Sequence, residues 1–520
     1  MARHPEGQGV PHITVDAYWP QDLLQHRSPV TRLPPEILNY VFQLYVARVG
    51  ALTPDGGVAP QGPSRLTQVC TLWRAIAKSD PFLWTSIHFY FPESHAGREK
   101  DVPRVQPVLD RHLKQSDPLP ISLILTDHRT DHLATNDLVS LLVDRLQTHA
   151  RRWTRISLHL SRDYFPLLST FTPCDLSSLE HLTISGDVLT RSSTVYLPLA
   201  SATNLKSFTY TGSGPQERIH LHWESLEEVS FGFAPHCGKS CTFFHQLRYL
   251  AKCRNITTCS LGLDHRHEFG ALNRPITLPC LQTLRVRLLF PGADATGAID
   301  RLTVPRLQTL EIDAAHLVTR NRLWHDHNFS GLLARSRCTL LHLSIQDVEF
   351  PNDELVRCLA LSPQLASLRF IPCPRSQDIS DVIRAMDVSQ SATGGQTTAA
   401  DVANPVRLVT LLCEMTLASS VERYLDPMLR MFRSRVGPRA RTAGVAALQR
   451  AEVIFFDMWH DRVRVPGDQL ERVARFRADL AQWASESRDG KGKENEDEDG
   501  VQVSVVVDSP YLPEYIDVEL

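Results

Sequence analysis

Apolar residues recur along most of this chain in a unit of the form apolar-x-x-apolar-x-apolar. It reads Trp84, Ile87, Phe89, then Trp153, Ile156, Leu158, then Leu179, Leu182, Ile184. Leu205, Phe208, Tyr210 follow, then Leu226, Val229, Phe231, then Ile256, Cys259, Leu261. Leu281, Leu284, Val286 come next, then Leu307, Leu310, Ile312, then Leu340, Leu343, Ile345, then Leu365, Leu368, Phe370, and last Leu408, Leu411, Cys413. From 153 to 365 the starting positions lie 26, 26, 21, 30, 25, 26, 33 and 25 residues apart. Each unit predicts a short strand with one buried face, plus a return segment of helix or turn. One unit cannot bury its own apolar face, but stacked units can, and their strands then form a parallel sheet. The run Ile121 to Leu125 predicts one more strand between the first two copies. Pro305-Arg306 and Ser362-Pro363 supply turns where the returning chain re-enters the sheet.

Ahead of the repeats the spacing changes to helical. Ile37, Val41, Leu44 and Tyr45 share one face of a helix that opens on Pro34, Pro35 and Glu36, and Leu38, Phe42 and Val49 widen that face. Leu66, Val69, Cys70, Trp73, Ile76 and Ala77 predict a second helix, with Ser64 as its N-cap. Asp80 and Pro81 cap a short turn presenting Phe82, Leu83 and Trp84. A helical unit of this size cannot bury so much apolar surface internally, so part of it must face a partner or the next domain.

Behind the repeats, 389–404 is small and polar and predicts a loop inserted in the array or a linker. Val406 to Cys413 and Val453 to Phe456 predict strands, and Ala443 to Leu448 predicts a helix. Asp468 to Ser485 predicts a capping helix with Leu470, Val473, Phe476, Leu480 and Trp483 on one face. Lys491 to Gly500 is a charged, solvated linker, and the β-prone Val501 to Val507 is expected to pair with the last open edge of the sheet.

The combination Leu33-Pro34-Pro35-Glu36-Ile37-Leu38, Val69-Cys70, Trp73-Arg74 and Ile76-Ala77 resembles an F-box. The repeat units are similar to irregular leucine-rich repeats. The fold implied is α/β: a three-helix F-box module, then a leucine-rich-repeat solenoid with a curved parallel sheet. The expected organisation is a poorly ordered tail at 1–28, the module at 29–91, the solenoid at 92–445, a cap at 446–486, a linker at 487–500 and a terminal strand and tail at 501–520. Two features depart from these families. The connection Ala47 to Pro63 is longer than usual for an F-box. The positions where leucine-rich repeats place Asn or Cys hold Asp187, Ser213, Ala234, Asp264, Leu289, Ala315, Val348 and Cys373, so uneven repeats are expected. The resemblance implies a non-catalytic substrate receptor of an SCF-type cullin-RING ubiquitin ligase. A Skp-type adaptor, and through it a cullin, would be held through Leu33, Pro34, Ile37, Leu38, Phe42, Val69, Cys70 and Trp73, and a protein substrate by the repeats. Glu180, His181 and Thr183, Lys206, Ser207 and Thr209, and Gln308, Thr309 and Glu311 are the candidate substrate contacts. The alternatives are a repeat scaffold unconnected with ubiquitin and an enzyme with zinc at His236 to His245.

Composition narrows this little. The formal charge of -3 argues against binding of polyanions by the whole molecule, and no membrane partner is expected. Eleven cysteines without a framework, and an N-terminus lacking an apolar leader, lead us to expect the cytoplasm or nucleus. Phosphate-loop, dinucleotide, serine-elbow and H-E-x-x-H motifs are missing from the sequence, and no cofactor is expected. His236, Cys237, Cys241 and His245 could ligate zinc, with Cys253 and Cys259 following, but complete no familiar spacing. Asp264, His265 and His267, and likewise Trp324 to His327, read as repeat loops. Arg423, Arg430, Arg433, Arg435, Arg439 and Arg441 form a basic stretch with only Tyr424 and Phe432 interleaved, which reads as a solvated helix face rather than a nucleic-acid site.

Overall fold

In the computed structural model the described residues are 33–49, 62–91, 101–127, 147–160, 175–186, 197–212, 219–232, 243–263, 275–288, 301–314, 328–348, 351–372, 410–416, 450–456 and 502–508, with a few isolated others. Three helices come first: α1 (Pro35–Val49), α2 (Pro63–Val69) and α3 (Thr71–Ser79), followed by a 3-10 turn, Pro81–Trp84. Strand β1 (Ser86–Phe91), helix α4 (Asp101–Gln115) and strand β2 (Ile121–Asp127) lead into β3 (Trp153–Leu160) and β4 (His181–Gly186). Then come β5 (Leu197–Pro198), β6 (Ser207–Gly212), β7 (Ile219–His220), β8 (Glu228–Gly232), helix α5 (Phe243–Leu250), β9 (Thr258–Leu263), β10 (Ile276–Thr277), β11 (Thr283–Leu288), β12 (Leu302–Thr303) and β13 (Thr309–Ala314). Helix α6 (Asn328–Ser336), β14 (His342–Val348), helix α7 (Asn352–Ala360), β15 (Ser367–Pro372), β16 (Thr410–Thr416), β17 (Arg450–Phe456) and β18 (Gln502–Asp508) complete the order.

Fourteen of these strands form one parallel sheet in the order β1-β2-β3-β4-β6-β8-β9-β11-β13-β14-β15-β16-β17-β18. The register aligns the repeat unit with itself. Ile87, Leu123, Ile156, Leu182, Phe208, Val229, Cys259, Leu284, Leu310, Leu343, Leu368 and Leu411 are successive cross-strand partners. Every apolar position of the ten units from Trp84 to Phe370 is buried. The parallel strands joined by return segments make this a mixed α/β solenoid of the leucine-rich-repeat type.

Two devices beyond the repeat unit hold the stack together. The residue three before each unit is also apolar and buried in most copies, as at Leu176, Ala202, Trp223, Leu278 and Val304. Its carbonyl accepts the N–H of the unit's first residue, for example Leu179 N to Leu176 O at 2.9 Å and Leu307 N to Val304 O at 3.1 Å. This closes the turn into each strand. The second device is a spine of shared carbonyls. Glu180 O accepts from Lys206 N at 2.9 Å and Ser207 N at 3.0 Å, and the pattern repeats at Lys206, Glu227, Thr257, Gln282, Gln308 and Leu341. Asn204 Nδ2 and Asn255 Nδ2 add bonds of 2.7 and 2.8 Å to Ser177 O and Glu224 O one unit back. Away from the main sheet, β5 pairs with β7 and β10 with β12, both parallel. The expected departure at Val348 is real: that side chain is fully buried, so it fills the core where a family member would place a polar ladder.

At the far end β18 pairs in parallel with β17, as expected of the β-prone run 501–507. The loop 389–404, the linker 487–500, the tail 1–28 and the apolar face of the predicted cap helix lie outside the described residues. So do the predicted helix Ala443 to Leu448 and most of the arginine stretch.

Candidate interaction surfaces

The N-terminal helices enclose a core of their own. Leu38 and Phe42 of α1, Leu66 of α2, Ile76 and Ala77 of α3, and Leu83 and Trp84 of the turn are buried together. Tyr45, Val46, Leu72 and Trp73 pack against them, with the rings of Phe42 and Trp73 4.8 Å apart. Trp84 Nε1 donates to Ala77 O at 2.7 Å inside this core. Asp80 caps the turn as the sequence predicts, accepting from Phe82 N at 3.0 Å, and also receives Gln43 Nε2 from α1 at 3.0 Å.

Two sequence expectations are corrected here. The second helix is not continuous. It breaks at Cys70, which is extended (φ -155°, ψ 175°) and ends α2 while its sulfur accepts Trp73 N at 3.5 Å to start α3. Apolar spacing persists across the break, which is why it reads as one helix. Nor is Ser64 the N-cap: Gly62 takes that place at φ 106°, in the left-handed region glycine tolerates, and Pro63 opens α2. The expected adaptor contacts also divide. Leu38 and Phe42 are 1% exposed and belong to the module's own core, so they present nothing to a partner. Leu33, Pro34, Ile37 and Val69 are exposed, and Cys70 and Trp73 are half-buried.

What α1 shows to solvent is a second apolar stripe. Ile37, Tyr40, Val41 and Leu44 recur at i, i+3, i+4 and i+7 and are 49%, 60%, 45% and 54% exposed. Among the described residues, Leu33, Val69 and Phe82 are the other large apolar side chains exposed on this module. Tyr40 was missed because periodicity gives two adjacent stripes on α1 without saying which one the fold covers.

The repeat sheet supplies a second surface. Between the buried positions of each strand, one side chain in two points to the open face. On β3 to β9 two of these rows are mostly small and hydroxylic: Ser157, Thr183, Thr209, Ser230 and Ser260 in one, and Ser185, Thr211, Gly232 and Gly262 in the next, which begins at His159; a third row holds Arg155, His181, Ser207, Glu228 and Thr258. On β11 and β13 the same rows become Arg285 facing Glu311 and Arg287 facing Asp313. Arg285 Nε lies 2.8 Å from Glu311 Oε2. Arg287 is forked onto Asp313, with Nη2 2.7 Å from Oδ2 and Nε 3.1 Å from Oδ1, and this bond raises the arginine's pKa. The step from small residues to long ones leaves a cleft of about 280 Å³ over Ser230, Gly232, Ser260 and Gly262, walled by the two arginines, their carboxylates and Gln346. Of the predicted substrate contacts, His181, Thr183, Ser207, Thr209, Thr309 and Glu311 lie on this face. Glu180, Lys206 and Gln308 instead sit at the carbonyl spine, where Lys206 Nζ and Glu180 Oε1 pair at 3.8 Å.

The core of the helical module and that of the repeat array meet at His112 on α4. Its ring is buried edge-on to Trp84, centroids 5.0 Å apart, and Nδ1 lies 3.3 Å from Trp84 O. A carbonyl can only accept, so Nδ1 carries the proton of a neutral ring. Burial is the main cause that lowers its pKa, to about 4.

Thiol chemistry is muted. Burial pushes Cys253 up to about 12 and raises Cys259, Cys338 and Cys358 as well, so these thiols stay protonated. Cys253 and Cys259 are core residues, and the His236, Cys237, Cys241 and His245 side chains of the suggested zinc group lie outside the described residues. Asp264, His265, His267 and Trp324 to His327 lie outside them too. Among the described residues no three His, Cys, Asp or Glu side chains gather as a metal site, and no helix is long and apolar enough to cross a membrane.

No protein-family model matches the chain, and neither does any curated protein. Among solved structures it is similar to an internalin from Listeria monocytogenes, at 12% identity, over 68% of this chain and 88% of that one, with a TM-score of 0.27. At that score the repeat architecture rests on the strand register itself.

Proposed function

We propose that the chain is a receptor subunit of an SCF-type cullin-RING ubiquitin ligase. In this reading the N-terminal helices dock a Skp-type adaptor and the repeat sheet holds a protein substrate. The chain performs no bond chemistry, and ubiquitin transfer is accelerated by holding the substrate at high effective concentration. The observation that carries the reading is the stripe Ile37, Tyr40, Val41 and Leu44, left outward by a module whose own core is complete. Solvent-facing apolar rows of this kind mark a protein-binding face. The coarser reading, a repeat scaffold for protein interaction, rests on the open polar face of the sheet alone. The free thiols of the described cysteines suit the reducing, intracellular setting in which a ligase subunit works.

The test is co-purification with the adaptor. Ile37→Asp combined with Leu44→Asp abolishes capture while leaving the thermal transition within about a degree or two, because both side chains are solvent-facing. Leu38→Ala does the reverse, losing roughly 2–5 kcal/mol of stability and, while still folded, keeping capture. An intact chain that captures no adaptor removes the ligase reading and leaves the scaffold.

A further inference from the structure

The cleft over β8 and β9 has a donor surplus that defines what it takes. Arg285 spends only Nε on Glu311. Its two terminal nitrogens have no hydrogen-bond partner among the described residues, and Arg287 Nη1 has none either. Both arginines are more exposed than their partners, at 50% and 63% against 39% and 34%. Ser230 and Ser260 add hydroxyls on the floor, and Gln346, whose Nε2 donates to Ser344 Oγ at 2.9 Å, lines the wall. Over β8 and β9 the cleft is floored by Ser230, Gly232, Ser260 and Gly262, small enough for an extended backbone to lie against the sheet there. A Cβ at position 232 would overlap the Thr211 methyl group unless that side chain turned aside, so glycine keeps the floor open there.

We propose that this cleft is the recognition site for a protein segment in extended form bearing an acidic side chain. The segment lies across β8 and β9 and its carboxylate accepts the unspent N–H groups of Arg285 and Arg287. Two cations and two anions line the site, so its charge balances. Recognition is therefore by directed hydrogen bonds at short range, which suits a monoanionic carboxylate and disfavours a phosphoryl dianion beside Glu311 and Asp313. The assignment rests on the reading of the sheet as the substrate side, and does not depend on adaptor docking.

The test uses the full chain on an array of short synthetic peptides that share a Gly/Ser/Ala background and differ at one central residue: Asp, Glu, Asn, Lys or phosphoserine. Asp or Glu peptides are expected to be retained over Asn and Lys. Arg285→Gln and Arg287→Gln each weaken retention roughly tenfold or more, while Arg155→Gln, on the same face at β3, leaves it unchanged. Glu311→Gln strengthens it, because a competing carboxylate is gone; a misfolded variant cannot produce that gain. Preference for Lys, retention of phosphoserine alone, no preference at all, or folded arginine variants that bind as the parent does would each overturn the proposal. Adaptor capture measured on the same variants stays at the parent level, so loss of the cleft and loss of docking are read separately.

Discussion

Protonation of His112 should unfasten the helical module from the repeat sheet. The ring is buried and neutral, with Nδ1–H on Trp84 O, and its pKa is lowered from 6.5 to about 4. The unfolded chain therefore takes up the proton first as pH falls. A group with a depressed folded pKa that is neutral when deprotonated stabilises the fold fully above its unfolded pKa, and that stability is lost as pH drops from 6.5 towards 4. A shift of this size corresponds to about 3 kcal/mol over the whole window, of which about 2 kcal/mol is gone by about pH 5. The assay is urea unfolding of the parent and of His112→Gln, whose amide can still donate to Trp84 O but does not titrate. Other ionisable groups cancel in the difference. The parent should lose about 2 kcal/mol more than the variant between about pH 7.5 and 5. A difference that stays flat across that range would refute the burial and tautomer assigned to this ring.

Gly232→Ala should cost about 1–3 kcal/mol by overpacking, and Thr211→Ser, which removes the obstructing methyl group, should restore most of it in a thermal melt of the double variant. Glu354 is fully buried on α7 and its carboxylate accepts both Ser330 N at 2.8 Å and Ser330 Oγ at 2.9 Å near the start of α6; Glu354→Gln trades one acceptor oxygen for a donor and should lower stability by about 1–3 kcal/mol in urea, with helix α6 the first to lose amide-exchange protection.

The strand register was open to reading because the repeat unit couples two constraints, a buried alternation and a fixed return length. Cys259 and Cys413 fall at their strand positions despite being atypical residues there, since phase rather than residue type decides. The apolar position three before each unit was missed. Ala202, Trp223 and Val304 differ too much in size to draw the eye, although each takes the same turn bond or place. The inner stripe of α1 was misassigned because Leu38 and Phe42 lie next to Ile37 and Val41 around the helix, and only tertiary packing chooses between neighbouring apolar faces. The cleft was beyond reach of the letters alone. It exists because Ser260 and Gly262 stand beside Arg285 and Arg287 across a strand pair, a juxtaposition visible only once the register is known.

Strand β1 follows the 3-10 turn of the helical module after a single residue, and it is the first strand of the sheet that carries the cleft. There is no tether between them to slacken. From β1 to β11 the sheet advances seven strand spacings, or about 34 Å at about 4.8 Å each. Whatever sits on the arginines is thus held at a set span from whatever grips the front helices. That span can change only in whole strand increments, so gain or loss of one repeat would re-aim the cargo in discrete jumps.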